Sequence, residues 1–295
     1  MTQWLWNHKQ DTYDMIVVFA NTGEENEETL LFVEKCSNHF GFPIIWVECK
    51  MYFHQRKTGF HITDFPKAHR HGEPFENMIK KHGIPNQAMP HCTRELKQVP
   101  IRNYAKSIGW KDYYLAIGIR GDEADRMNAK AKKLKIIYPL ISKDFIPMDK
   151  PGINHWWQSQ SFRLNLRGYQ GNCKTCWKKG DKKLYQIAKE SPQKFEFMNR
   201  MEREYGNFVP KTRLELLKKR NEMISLPIKF FRKNRSTVDI LNEAMKWTGS
   251  VIDDTINNGQ GSIFDLINIE NQTINTDDTD LIGAESCEVF SECNS

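Results

Sequence analysis

The sequence predicts an α/β protein centred on a parallel twisted sheet with helices on both faces. Met15-Ile-Val-Val-Phe-Ala20 and Ile44-Ile-Trp-Val-Glu48 are short apolar runs rich in β-branched residues. Such runs mark strands covered on both faces. Between them, residues 24–38 carry Leu30, Leu31 and Val33 among polar residues, which reads as an amphipathic helix and completes a β-α-β unit. Tyr113-Tyr-Leu-Ala-Ile-Gly-Ile119 repeats the strand signal downstream.

Taken in order, residues 1–10 read as a short helix. Asn21-Thr-Gly ends the first strand, and Gly41-Phe-Pro43 stops the following helix. Residues 50–72 lack periodicity and hold His54, His61, His69 and His71; they are expected to be irregular. A short helix over 74–82 stops at Gly83-Ile-Pro85. Residues 93–108 form a longer helix that Pro100 should kink. A short strand lies within 134–140, and a helix over 152–159 bears Trp156 and Trp157. Helices are expected over about 182–189, 192–205 and 213–222. Ser236-Thr-Val-Asp239 has the capping-box pattern that opens a helix toward Trp247, and residues 257–261 read as a linker. No internal repeat is present. The division this implies is a nucleotide-binding domain over 1–205, a helical extension over 206–247 and an acidic, flexible tail over 248–295.

The 295 residues contain no run of 18 apolar residues, and the N-terminus has no secretory pattern. A cytosolic protein is the expectation. Seven cysteines, an odd number, argue against a disulfide framework in a chain of this length. Cys36 and Cys49 sit among apolar residues and read as structural. The net charge of +6 is unevenly divided. Residues 236–295 hold one lysine against twelve acidic residues, and residues 1–235 hold 42 basic against 25 acidic. A basic body suits an anionic partner, a nucleotide or a nucleic acid.

Four features carry the chemistry. Asn21-Thr22-Gly23-Glu24 follows a strand and opens a helix, where backbone N–H groups can meet an anion or a base edge; alone it reads better as an ordinary strand-to-helix turn with Thr22 as cap. Gly118-Ile-Arg120-Gly-Asp122-Glu123-Ala-Asp125-Arg126 also follows a strand. Its arginines could clamp phosphate and its carboxylates could hold Mg²⁺, or the charges could be solvated. Gly171-Asn-Cys173-Lys-Thr-Cys176 has the spacing that lets two thiolates meet one metal from a tight turn. Cys92 and His91 are candidate distant ligands. Zinc and an iron–sulfur cluster both fit this spacing, and a redox pair is a third reading. Finally, Lys130, Lys132, Lys133 and Lys135, and Lys174, Lys178, Lys179, Lys182 and Lys183, form two basic clusters: solvated faces, or a path for a polyanion.

Together these pieces resemble the phosphoadenosine phosphosulfate reductase family of the adenine-nucleotide alpha-hydrolase-like (PP-loop) superfamily, most of all its phage and prophage members. The resemblance covers roughly residues 1–205. It rests on Phe19-Ala-Asn-Thr-Gly23 with Glu28-Thr-Leu30, His91-Cys92-Thr-Arg-Glu-Leu-Lys97, Gly118-Ile-Arg-Gly-Asp-Glu123, Tyr138-Pro-Leu140, and Trp156-Trp157 through Gly171-Asn-Cys173-x-x-Cys176-Trp-Lys-Lys179.

The resemblance implies an adenine nucleotide as ligand: adenylyl-sulfate, phosphoadenylyl-sulfate or ATP. It implies a [4Fe–4S] cluster on Cys92, Cys173 and Cys176, with His91 standing where the family's adenylyl-sulfate branch has a further cysteine. It also implies a nucleophilic cysteine near the C-terminus, for which Cys293 after Glu292, or Cys287, is the candidate, and a redox donor such as thioredoxin. The family's Ser-Gly-Gly-x-x-Ser phosphate loop is not found, and residues 1–10 resemble the helix that follows it. Weak turnover of the chain starting at Met1 is therefore expected. The lead expectation is sulfur transfer or reduction. The alternatives are a PP-loop ATP pyrophosphatase acting in nucleic-acid thiolation, and a non-catalytic remnant.

Overall fold

The computed structural model describes residues 1–221 and 223–255. Cys287 and Cys293 lie outside the described residues. Nine α-helices are described: α1 (Thr2–Lys9), α2 (Glu27–Phe40), α3 (Glu73–His82), α4 (Val99–Ser107), α5 (Lys150–Gln158), α6 (Asp181–Glu190), α7 (Glu196–Tyr205), α8 (Lys211–Arg220) and α9 (Thr237–Lys246). The strands are β1 (Val17–Asn21), β2 (Ile44–Tyr52), β3 (Lys57–Thr63), β4 (Leu115–Ala116) and β5 (Ile136–Ile137). No helix among the described residues is long and apolar enough to cross a membrane.

The protein is mixed α/β, and its main sheet is small and mixed. β1 pairs parallel with β2, as the β-α-β pattern predicts, but β2 then pairs antiparallel with β3. β4 and β5 form a separate parallel pair. Residues 50–72 are thus not irregular throughout: β2 runs on to Tyr52, and β3 returns over Lys57–Thr63. β3 escapes sequence reading because it is a sheet edge. His61 and Ile62 are exposed, so the strand has no apolar run to announce it. The strand expected over 113–119 shrinks to two residues, although Ile117 and Ile119 still pack on Ile136.

Two clusters tie helices to the first sheet. Ala20 and Val47 meet Tyr104 of α4, and Trp46 meets Leu30 of α2 and Ala68. α2 ends where Gly41 turns left-handed (φ 72°) and its N–H bonds Ser37 O at 3.0 Å. α5 joins through aromatic contacts, Trp157 with Phe32 at 4.9 Å and Trp156 with Phe40 at 5.8 Å between ring centroids. The largest core lies between α3, α6, α7 and α9, with Met78, Ile79, Leu184, Ile187, Met201 and Ile240 almost fully buried. Ile228 and Phe230 enter the same core, so the 206–247 segment is packed into the body.

The helix expected over 93–108 has two parts. Arg94–Gln98 is a π-helical turn that runs directly into α4. Pro100 lacks an N–H, and its ring would press on the carbonyl four residues earlier, at Leu96. The wider π turn makes room there in place of a simple kink.

Candidate functional site

The turn after β1 is closed by its own side chains. Thr22 donates its N–H to Glu25 Oε2 at 2.9 Å and its hydroxyl to the same oxygen at 2.8 Å. Gly23 N–H donates to Asn21 Oδ1 at 3.2 Å, and Glu24 N–H to Thr22 Oγ1 at 3.3 Å. The three N–H groups expected to face an anion are thus engaged within the turn. Gly23 has φ 81°, and a Cβ there would lie 2.9 Å from Pro74 Cδ and 3.1 Å from Gly72 Cα. Only glycine suits both the conformation and the close approach.

The same turn meets the Cys-x-x-Cys segment, about 150 residues away in sequence. Glu25 and Cys173 form an antiparallel bridge, and Lys174 N–H donates to Glu24 O at 2.9 Å. Thr22 Oγ1 lies 3.8 Å from Cys173 Sγ. The Cys-x-x-Cys turn is set by Asn172, which takes a left-handed φ of 62° that asparagine tolerates, and by Cys176 N–H donating to Cys173 O at 3.3 Å. Lys179 is buried beneath it, its ammonium donating to Tyr169 O at 3.2 Å and to Gly171 O. Lys174 Nζ donates to Arg70 O at 3.1 Å. These two lysines clamp the turn and do not extend a solvated basic face.

Cys92, Cys173 and Cys176 line one small cavity together with Thr22, Thr93 and Lys97. The π turn explains how Cys92, Thr93, Leu96 and Lys97 all reach it from one segment. Thr93 Oγ1 and Trp177 Nε1 are buried at this cavity without a hydrogen-bond partner among the described residues. The donor set fits a thiolate-bound metal or cluster, whose sulfur atoms accept hydrogen bonds of this kind. His91 faces elsewhere. Its Nε2–H donates to Gly83 O at 3.2 Å, and burial pushes its imidazole pKa down to about 3.

Glu24 stands at the junction, 2% exposed. Burial raises its pKa to about 8, outweighing Lys174, whose Nζ is 3.8 Å away. Its Oε2 has no hydrogen-bond partner among the described residues. Glu25 pairs with Lys97 at 3.7 Å.

The second predicted loop is not brought to this cavity. Gly121–Arg126 is a 3₁₀ turn after β4, and Arg120 is bound to Asp122 at 3.0 Å and Glu123 at 3.1 Å. Arg126 pairs with Glu123 as well. Among the described residues, no hydrogen bond or ion pair links Arg120, Asp122, Glu123 or Arg126 to Asn21–Glu24. Gly118 packs near the Met1 side chain, 3.7 Å from a Cβ placed on it. Beside this loop lies an open cleft lined by Gly121, Asp149, Gly152, His155 and Trp156.

Sequence reading passed over a third group. Glu48, His61 and His69 bring ligand atoms within 4.8 Å of one another. The usable signal was Glu48, a carboxylate closing a buried apolar strand, which needs partners wherever it points.

Comparison with known proteins finds relatives in a phage and an archaeon. The chain is 30% identical over 193 residues to the "Uncharacterized nin region protein ORF290" of Escherichia phage lambda, covering 63% of this chain and 64% of that protein. It is 24% identical over 200 residues to the "Uncharacterized protein MJ0066" of Methanocaldococcus jannaschii, covering 65% of this chain and 37% of that protein. The matches thus span less than two thirds of the relatives' own length. No family model matches, and no solved structure matches.

Proposed function

We propose that this chain is a cytoplasmic adenine-nucleotide-binding enzyme of sulfur metabolism, akin to the phosphoadenosine phosphosulfate reductase family, with a cysteine-ligated cluster beside its nucleotide site. The observation that carries the proposal is the backbone pairing of the turn after β1 with the Cys-x-x-Cys turn, at a cavity that Cys92 also lines. Ligands of parallel α/β sheets gather beyond the carboxyl ends of the strands, and this cavity lies beyond the carboxyl end of β1. The finer fold, a twisted sheet with a parallel core, an antiparallel edge at β3 and helices on both faces, is part of the proposal. The parallel pairings of β1 with β2 and of β4 with β5 support it.

Cys92, Cys173 and Cys176 would hold the cluster, which when bound would supply a redox-active centre beside the substrate. Thr93 and Trp177 would donate to its sulfur atoms. Lys97 and Lys174 bring cationic side chains to the same junction. Because the N–H groups of the turn are internally bonded, side chains must meet the nucleotide's charge. Lys97 and Lys174 would do so at the junction, and Arg120 and Arg126, with Mg²⁺ on Asp122 and Glu123, would add to it where the nucleotide extends to their separate cleft. Cys293 or Cys287 would supply the attacking thiolate, and a dithiol of the thioredoxin class would complete the reduction.

The basic body of residues 1–235 favours one second reading, an ATP pyrophosphatase that activates a nucleic acid for thiolation. Calorimetric titration with adenylyl-sulfate, phosphoadenylyl-sulfate and ATP, followed by assays for sulfite and pyrophosphate, separates the two. Binding with sulfite release supports the first, and pyrophosphate release without sulfite supports the second. If none of the three nucleotides binds, both readings fail.

A further inference from the structure

Away from the cysteine cavity, a set of ligating side chains is built into the main sheet. Strand register places Asn21, Glu48 and His61 side by side across β1, β2 and β3. Residues directly opposite one another in a sheet share a face. The segment after β3 then folds His69 back over this row. Glu48 is fully buried. Its Oε1 accepts from Asn21 Nδ2 at 2.6 Å and from the His69 backbone N–H at 2.8 Å. Its Oε2 faces His61 Nε2 at 3.0 Å and His69 Nδ1 at 2.5 Å. The two histidine side chains are 43% and 42% exposed.

We infer that Glu48, His61 and His69 bind a divalent transition-metal ion of the zinc, cobalt or iron(II) type, through two imidazoles and one carboxylate. Ligands at roughly 2.0–2.2 Å from a common ion stand about 3.0–3.5 Å apart. The Glu48–His61 spacing already meets this, and the half-exposed His69 ring can swing outward to match it. Asn21 and the His69 N–H hold one carboxylate oxygen and aim the other at the imidazoles, the outer-shell support that a ligating carboxylate needs. A fully buried carboxylate requires positive charge nearby. An ion between two neutral imidazoles supplies it without charging either ring. Mixed imidazole and carboxylate donors suit borderline ions and not calcium or magnesium. Three protein ligands, two of them half-exposed rings, leave further coordination positions open to solvent. The site shares Asn21 with the turn that reaches Cys173, yet its donors are distinct from the thiolates, and it stands whether or not those bind a cluster.

The test uses cobalt(II) alone, titrated into the metal-free full chain and followed by absorption. Nitrogen and oxygen coordination gives weak visible bands, while thiolate coordination adds intense near-ultraviolet charge transfer, so the two sites are read separately. One equivalent should bind with the weak bands, whether or not the thiolates take up further cobalt with charge transfer. Affinity should fall at least ~10-fold in His61→Ala and in His69→Ala, and stay unchanged in Cys173→Ser. Both histidines are half exposed, and circular dichroism checks that the variants fold. His61→Asn and His69→Asn keep a donor toward Glu48 and serve if the alanine variants do not fold. Absence of the weak bands in the intact chain, or equal titrations in the histidine variants, would overturn the site and leave the two rings as hydrogen-bond partners of Glu48.

Discussion

Glu24 shows how one buried group can couple the site to pH. Its carboxyl is held near 8 in the folded protein, against an ordinary 4.5, chiefly by burial. Between those values the unfolded chain gives up the proton while the folded chain keeps it. The stabilising contribution is therefore complete below pH 4.5 and is lost as pH rises toward 8. Glu24→Gln keeps the side chain neutral at every pH. In urea unfolding, the variant should match the parent near pH 4.5 and exceed it at pH 8, by up to roughly 4 kcal/mol. Equal pH slopes in the two proteins would show that Glu24 ionises freely in place. His91 acts in the opposite direction. Its depressed value near 3 gives stability that is complete above pH 6.5 and lost as pH falls. Neither behaviour was legible in the sequence, because both depend on what the fold stacks over these side chains. Cys49 was legible as structural from its apolar neighbours, and burial pushes its thiol up to about 12.

At the scale of elements, the apolar strands, the helix between them and the caps could be read directly. Ser236 does cap α9, accepting from Asp239 N–H at 3.2 Å. What could not be read were elements defined by their neighbours: β3, an edge strand with exposed side chains, and the π turn, a response to Pro100. The Glu48 group went unseen for the same reason, since its row exists only once β3 is paired. Two glycines separate local from tertiary demands. Gly41 has φ 72° with nothing within 4 Å of an added Cβ, whereas Gly23 has φ 81° and backbone at 3.1 Å. Gly41→Ala should cost about 1 kcal/mol, the left-handed penalty alone. Gly23→Ala should cost at least about 2 kcal/mol, because Gly72 and Pro74 must also shift. Equal losses in thermal or urea unfolding would mean that the turn after β1 yields freely, and that its fit against α3 does not hold the site.

Across the whole molecule, the site is a meeting of distant segments. The turn after β1, the π turn and the Cys-x-x-Cys segment converge where the largest core, which includes Cys92 and Trp177, reaches the main sheet. The Cys-x-x-Cys spacing marked two of these thiols in advance, but only the fold could bring Cys92 to them. Arg120 and its neighbours were read as part of the same cradle, and the structure holds them in local ion pairs beside a separate cleft. The shared thiolate site is therefore what these segments build. Its most direct measurement is iron and acid-labile sulfide in the full chain purified without oxygen, alongside Cys92→Ser, Cys173→Ser and Cys176→Ser. A cluster shared by the three thiolates makes the protein brown and gives it both iron and sulfide, with colour and sulfide lost in each variant. A colourless protein with one zinc would contradict the cluster while keeping the thiolate site. A chain that holds neither metal, with all three thiols open to alkylation, would contradict the shared site itself.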